Sequence, residues 1–268
     1  MKLFYVFDPK HATSNSHMPL QHCLDRLNGW CNDNCLPVNL KKCSILHFGN
    51  ANPRSSYYID QQELAMHSSE RDLGVIFDDG LSFQCHVDSI VNKTRRLSGL
   101  MFYSFRSRSA SVILPIYKAM IRPILEYAST VWNPHLQRQI KQVESVQRHV
   151  TKRINGHSFL SYDERLSALQ LPRLSARREY FDIVEIFKIL HGFSVVSDAI
   201  KIDFCQSTTR GHPMRIRPTK FKRNTRKSAL FVRAVNRWNT LPSLLMDTTN
   251  LPMFKAQLRK YLFESIQH

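Results

Sequence analysis

Acidic residues are scarce in this chain, and two long stretches have none. The 268 residues include 21 Asp and Glu against 38 Lys and Arg, a formal net charge of +17. No acid falls between Asp88 and Glu126, where Lys93, Arg95, Arg96, Arg106, Arg108, Lys118 and Arg122 lie. None falls between Asp203 and Asp247, a stretch that carries Arg210, Arg215, Arg217, Lys220, Lys222, Arg223, Arg226, Lys227, Arg233 and Arg237. Polyanions are the natural partners of such blocks, because basic side chains neutralise phosphates and displace their counterions. For any one Lys or Arg the plain alternative is that it solvates a surface.

Other absences narrow the class. No apolar run is long enough to span a bilayer, and the first residues lack a charged start followed by a long apolar stretch. The expectation is therefore an intracellular protein of nucleus or cytoplasm, not secreted and not in a membrane, with its six cysteines as free thiols. Cys31, Cys35, Cys43 and His47 do not have the spacing of a zinc knuckle or finger. The segments between them, Leu36-Pro37-Val38 and Ile45-Leu46, have the character of packed β segments. There is no glycine-rich phosphate loop, no helical pair of zinc-protease histidines and no nucleophile elbow, so an independent hydrolase is excluded.

What is present is enough for a core, since 43% of residues are hydrophobic. The pattern predicts an α+β chain in three parts. Residues 1–85 hold a helix from about Pro19 to Asn32 with Leu20, Leu24, Leu27 and Trp30 on one stripe, then a strand from Ser44 to Phe48 and a β element over Tyr57 to Leu64. A hairpin follows from Leu73 to Phe83, turning at Asp79-Gly80. Phe77-Asp78-Asp79-Gly80 contains an adjacent acidic pair, but a carboxylate pair on a tight turn shapes that turn more readily than it holds a metal.

Residues 86–200 turn helical. Apolar stripes run through Ile90, Val91, Leu97, Leu100 and Met101; through Ile113, Ile116, Tyr117, Met120, Ile121 and Ile124; through Val143, Val146, Val150 and Ile154; and through Ile183, Ile186, Phe187 and Leu190. Arg148, Lys152 and Arg153 fall toward the outer side of the third stripe. Arg177-Arg178 is either a solvated face or a backbone contact, and Glu126, amid apolar neighbours, anchors an arginine such as Arg122. From 201 to 268 a basic, apolar-poor linker over Thr208 to Lys227 precedes two helices, Ala229 to Leu241 and Leu251 to Ile266. Asn250 is the N-cap of the last, and Phe231 and Trp238 face the core.

Three linked motifs, RPILEYASTVWNP at 122–134, VESVQRHVTKRING at 143–156 and YDERLSALQLPRLSARREYFD at 162–182, resemble the C-terminal part of reverse transcriptases of non-LTR retrotransposons, the jockey and CR1-like group in particular. Upstream, LDRLNGWCNDNCLPVNLKKCSILHFG and RDLGVIFDDGLSFQCHV resemble the region just after that family's polymerase site. Downstream, FVRAVNRWNTLPSLLM and FKAQLRKYL resemble its usual ending.

The resemblance implies the end of a palm with a primer-grip-like hairpin (1–85), a helical thumb (86–200), and a basic linker with C-terminal helices (201–268). The family's catalytic aspartates do not precede Met1, and two-metal nucleotidyl transfer needs such convergent carboxylates. The expected fragment therefore has no catalytic residue and no cofactor of its own; magnesium belongs to the full-length family enzyme. It would hold RNA or an RNA–DNA hybrid through Lys93, Arg95, Arg96, Arg106, Arg108, Arg148, Lys152, Arg153, Arg215, Arg217, Lys220, Lys222 and Arg223. By the same resemblance Lys42 would approach an incoming nucleotide's phosphates. The alternative is a domesticated, non-catalytic module that binds RNA or a protein partner. The oligomeric state is left open.

Overall fold

The computed structural model describes residues 18–49, 52–194, 202–205, 212–218 and 228–264. Among the described residues it is α+β, with the named strands in the first third and mainly helices after them. The chain divides into two compact units, Met1–Cys85 and His86–His268.

In the first unit, α1 (Met18–Asp33) packs Leu20 and Leu24 against a small core of Tyr57, Ile59 and Leu64, with Leu40 and Ile45 alongside. A single 3-10 turn, Leu40–Lys42, leads into β1 (Ser44–Leu46). The strands β2 (Tyr58–Ile59) and β3 (Gln62–Glu63) form a minimal hairpin; β4 (Ala65–His67) returns parallel to β1, and β5 (Ser69–Asp72) pairs antiparallel with β6 (Val75–Asp78). Gln21 fastens α1 to β2, accepting from Tyr58 N at 2.9 Å and donating to Tyr58 O at 2.8 Å. Trp30 departs from the predicted stripe and is exposed. The two-residue strands of the covering hairpin are too short to reach it.

Both hairpins turn through two residues of positive φ, Asp60-Gln61 at 48° and 62° and Leu73-Gly74 at 44° and 87°. Such primed turns match the right-handed twist of the strands they join. The second hairpin corrects the sequence reading, which put the turn at Asp79-Gly80. The strand that contains Val75 to Phe77 is the second of its pair, not the first, and it pairs back onto Ser69 to Asp72. Asp78 then ends it: its carboxylate accepts from Ser82 N at 2.9 Å and Phe83 N at 2.7 Å, shaping the entry to the following helix. Leu73 is largely exposed in a left-handed conformation that L-residues adopt at a cost of about 1 kcal/mol. Leu73→Asn is therefore expected to raise the stability of this unit by about 0.5–1 kcal/mol, read as a shifted urea midpoint; a lowered midpoint would mean that Leu73 packs on something.

In the second unit, α2 (Gln84–Ser104) and α3 (Ala110–Ile116) are followed by a π-helical turn, Tyr117–Ile121, and then by α4 (Arg122–Glu126) and α5 (Ser129–Trp132). Ile113, Tyr117, Ile121 and Leu125 are all buried, at a constant spacing of four. An ideal α-helix would rotate such a series by about 40° per step. The wider π turn absorbs the extra residue and keeps all four inward. Met120 and, on α2, Leu100 were expected inside and are exposed, at 56% and 58%.

The remaining helices are α6 (Gln137–Lys152), α7 (Tyr162–Ala168), α8 (Leu174–Leu190), α9 (Leu230–Trp238), α10 (Ser243–Met246) and α11 (Leu251–Glu264). Val143, Val146, Val150 and Ile154 are buried, as their spacing predicts. Ser161 and Glu164 form a capping box that starts α7, and Asn250 Oδ1 accepts from Met253 N at 3.0 Å, capping α11.

Helices α8, α9 and α11 share one core, in which Phe187 stacks on Phe254 at 4.1 Å and Trp238 is fully buried. The helices on either side of residue 200 thus pack together. The described part of the expected linker is held by the same core: Ile216 is buried and bridges Phe204, Asn239 Oδ1 accepts from Ile216 N, and Met214 O accepts from Trp238 Nε1. Residues 212–218 are therefore a packed segment. The flanking parts of that predicted linker lie outside the described residues.

Candidate nucleic-acid interface

The cations that the sequence singled out do not form one face. On α2 the buried series Val87, Val91, Thr94, Ser98 and Met101 defines the inner side. Lys93 and Arg95 lie about 100° to either side of Thr94, and Arg96 points outward. All three are exposed. Arg95 is on the side of α6, where its Nη2 donates to Ser145 Oγ at 3.1 Å.

From Ser145 the outer face of α6 continues at four-residue spacing through His149 to Arg153. The edge of the His149 ring meets Phe102 of α2 at 6.3 Å between centroids. Arg153 lies over the same phenyl ring at 5.1 Å and Arg108 at 4.6 Å, while Arg108 Nη2 donates to Phe102 O at 2.8 Å. Arg95, His149, Arg153 and Arg108 thus form a strip about 12 Å long, from Ser145 to Arg153. That is the axial rise of three to four nucleotides of one strand. Among the described residues none of the three arginines has an ion pair. Arg95 and Arg108 lie in the stretch between Asp88 and Glu126 that contains no acid, and Arg153 lies outside it.

Lys152 is exposed beside this strip. Arg148 is exposed as well but leans over Tyr162 at 4.5 Å, on another side of α6. Arg106 is exposed in the loop after α2. Arg215 and Arg217 flank buried Ile216 and are exposed, away from its core. Lys42 is exposed on the 3-10 turn before β1, in the first unit. Lys220, Lys222 and Arg223 lie outside the described residues. The sequence reading missed His149 and Phe102, although the spacing of Ser145, His149 and Arg153 would have shown them on one face.

Other arginines are consumed inside. Arg177 clamps Glu126 with two bonds, Nη2 to Oε2 at 2.9 Å and Nε to Oε1, while Arg122 stands 3.8 Å away. Glu126 does anchor an arginine, but the main partner comes from α8. Arg178 was expected on a solvated face or a backbone contact, and it is neither: it is fully buried, and its Nε donates to Asn133 Oδ1 at 3.1 Å. Asn133 Nδ2 donates in turn to Asp182 at 2.7 Å, and Arg233 of α9 grips both oxygens of Asp182 at 2.8 Å and donates to Thr130 O at 2.6 Å. Burial pulls the Arg178 guanidinium below its ordinary pKa, against the nearby carboxylates of Glu144, Asp182 and Glu126. The Trp132-Asn133-Pro134 motif therefore ties α5, α8 and α9 together. Trp132 is buried, donating to Tyr127 O at 2.8 Å and meeting the His86 ring edge-on at 5.0 Å.

A second internal network links α6 and α7. Tyr162 donates its hydroxyl to Glu144, and Gln147 accepts from Tyr117 OH at 2.6 Å while donating to Tyr162 and to Pro172 O. Burial first, then the Glu144 carboxylate, pushes the Tyr162 phenol up, so it stays a donor. Of the acidic pair, Asp78 is used by the turn and Asp79 pairs with Arg54 at 3.1 Å. Among the described residues no three His, Cys, Asp or Glu are grouped to hold a metal ion. The cysteines among them are free, and no described helix is long and apolar enough to cross a membrane.

Comparison with known proteins gives distant, partial relatives. The chain is 28% identical over 102 residues to a probable RNA-directed DNA polymerase from transposon X-element of Drosophila melanogaster, covering 37% of this chain and 11% of that protein. It is 26% identical over 141 residues to the RNA-directed DNA polymerase from mobile element jockey of Drosophila funebris, covering 51% of this chain and 15% of the polymerase. An uncharacterized protein of Caenorhabditis elegans is 27% identical over 123 residues, 45% of this chain and 60% of the worm protein. The chain thus spans only a small part of the two polymerases and somewhat over half of the worm protein. No family model and no solved structure matches. The chain is a distant relative of retrotransposon reverse transcriptases.

Proposed function

We propose that this chain is the part of a retrotransposon RNA-directed DNA polymerase that follows the catalytic aspartates: the end of the palm, the thumb and the C-terminal region. It holds an RNA–DNA hybrid and does not polymerise alone. The observation that carries this reading is the strip of Arg95, Arg108 and Arg153 along α2, α6 and the segments that follow them, none of which has an ion pair among the described residues. Its spacing suits consecutive phosphates, and the related polymerases supply the kind of polyanion. The outward face of α2 beside it adds Arg96, the open Gly99, and exposed Leu100 and Tyr103, a surface that can lie close against a duplex groove. Lys42 is the residue proposed for the incoming nucleotide's phosphates, which without the catalytic aspartates its ammonium could only bind.

The test is binding of the purified chain to a labelled RNA–DNA hybrid over a salt series, with magnesium and deoxynucleotides added to part of each sample. Binding that weakens steeply with salt, and no primer extension, is the expected result. Extension would place catalytic carboxylates in this chain and overturn the division proposed; absence of binding would overturn the role of the strip. A second reading, a non-catalytic RNA-binding or protein-interaction module derived from a retroelement, is favoured by the worm relative, in which the matched region makes up 60% of the protein. It predicts binding to structured RNA as tight as to the hybrid.

A further inference from the structure

The strip contains one group whose charge is not fixed. His149 lies on α6 between Ser145, which holds Arg95, and Arg153, with the edge of Phe102 against it. Arg108 and Arg153 both cap the Phe102 ring, so their guanidinium carbons are no more than about 10 Å apart. Arg108 also keeps a buried Nη1 with no hydrogen-bond partner among the described residues. The charges that face the imidazole are Arg95 from α2, Arg153 from its own helix and, across the phenyl ring, Arg108. No ion pair among the described residues brings a carboxylate to any of them.

We propose that Arg95, at Ser145, with Arg108, His149 and Arg153, which meet at Phe102, form one subsite for the phosphodiester backbone of a nucleic acid, with His149 as its pH-responsive member. This rests on the nucleic-acid-binding reading above and adds a proton to it. In the free protein partial burial, then Arg153 and Arg95, hold the imidazole below its ordinary pKa, so it is neutral at neutral pH. A phosphate seated in the strip offsets the guanidinium charges and favours the imidazolium. Docking of the backbone and protonation of His149 therefore assist each other, by linkage.

The sign follows from that coupling. Bound nucleic acid raises the pKa of His149, so affinity increases as pH falls through the window between the bound and free values. The slope there approaches tenfold per pH unit for a single proton.

The experiment is hybrid binding by the full chain between about pH 8 and 5.5 at fixed ionic strength, for wild type, His149→Gln and His149→Lys, with the His149 imidazole followed by NMR. The expected result is an acid-enhanced affinity in wild type and a flatter pH profile in His149→Gln. His149→Lys should bind at pH 8 as wild type does in acid, and the His149 titration should move to higher pH when hybrid is present. A pH profile unchanged by His149→Gln, or a titration that hybrid does not move, overturns the subsite's proton coupling while leaving nucleic-acid binding intact. No binding at any pH would instead overturn the reading on which it rests.

Discussion

Asp182→Ala is expected to destabilise the helical unit by about 3–5 kcal/mol, a loss large enough to unfold a marginal domain. Asp182 is 3% exposed, and each of its oxygens is engaged: Oδ1 by Arg233, Oδ2 by Arg233 and Asn133. Alanine would leave Arg233, largely buried, without its counter-charge, and would remove a carboxylate that supports the fully buried Arg178. Uncompensated buried charge is costly because the interior cannot replace the hydration that folding removed.

Two controls sharpen this expectation. Asp182→Asn keeps the shape but not the charge, and should recover only a minor part of the loss. Arg237→Ala removes the ion pair with Glu179, whose arginine is 63% exposed, and should cost less than about 1 kcal/mol. Denaturant midpoints followed by helical circular dichroism give all three values. An Asp182→Ala variant within 1 kcal/mol of wild type would show that α5, α8 and α9 are not held by this network.

The second large effect is on binding. Removing Arg95, Arg108 and Arg153 together, each to alanine, should lower the slope of log affinity against log salt by about 3, since each phosphate contact contributes about 0.9. At 0.1 M salt that amounts to roughly eightfold per contact relative to 1 M, a few hundredfold for the three. Arg177→Ala and Arg178→Ala, although they too remove positive charge, should act on stability and leave the salt slope of the folded fraction unchanged, because both side chains are engaged internally. A triple variant with an unaltered slope would assign the contacts to other basic residues, such as those at 215–227.

Part of this was legible in the sequence because it is local. Helical spacing placed Val143, Val146, Val150 and Ile154 inside, and the acid-free stretch between Asp88 and Glu126 contains Arg95 and Arg108, which have no ion pair among the described residues. The misreadings arose where local signals competed. Asp79-Gly80 has the composition of a hairpin turn, yet Leu73-Gly74 makes the turn because β5 offers a pairing partner and Asp78 is taken up by the backbone of Ser82 and Phe83. The stripe through Met120 assumed a period of 3.6, and a π turn shifted it to four.

The sequence by itself determined the α+β order, the apolar faces of the main helices, the Asn250 cap and the excess of positive charge, since each depends on residues within a few positions of one another. Only the tertiary structure decided which arginines are used inside and which are left for a ligand. Arg177 finds Glu126 across 51 residues, Arg178 finds Asn133 across 45, and Arg233 finds Asp182 across 51. Arg108 and Arg153 end over one phenyl ring and Arg95 at Ser145, and among the described residues none of the three has an ion pair. A cation's role depends on whether a carboxylate reaches it through space, and separation along the chain carries no record of that.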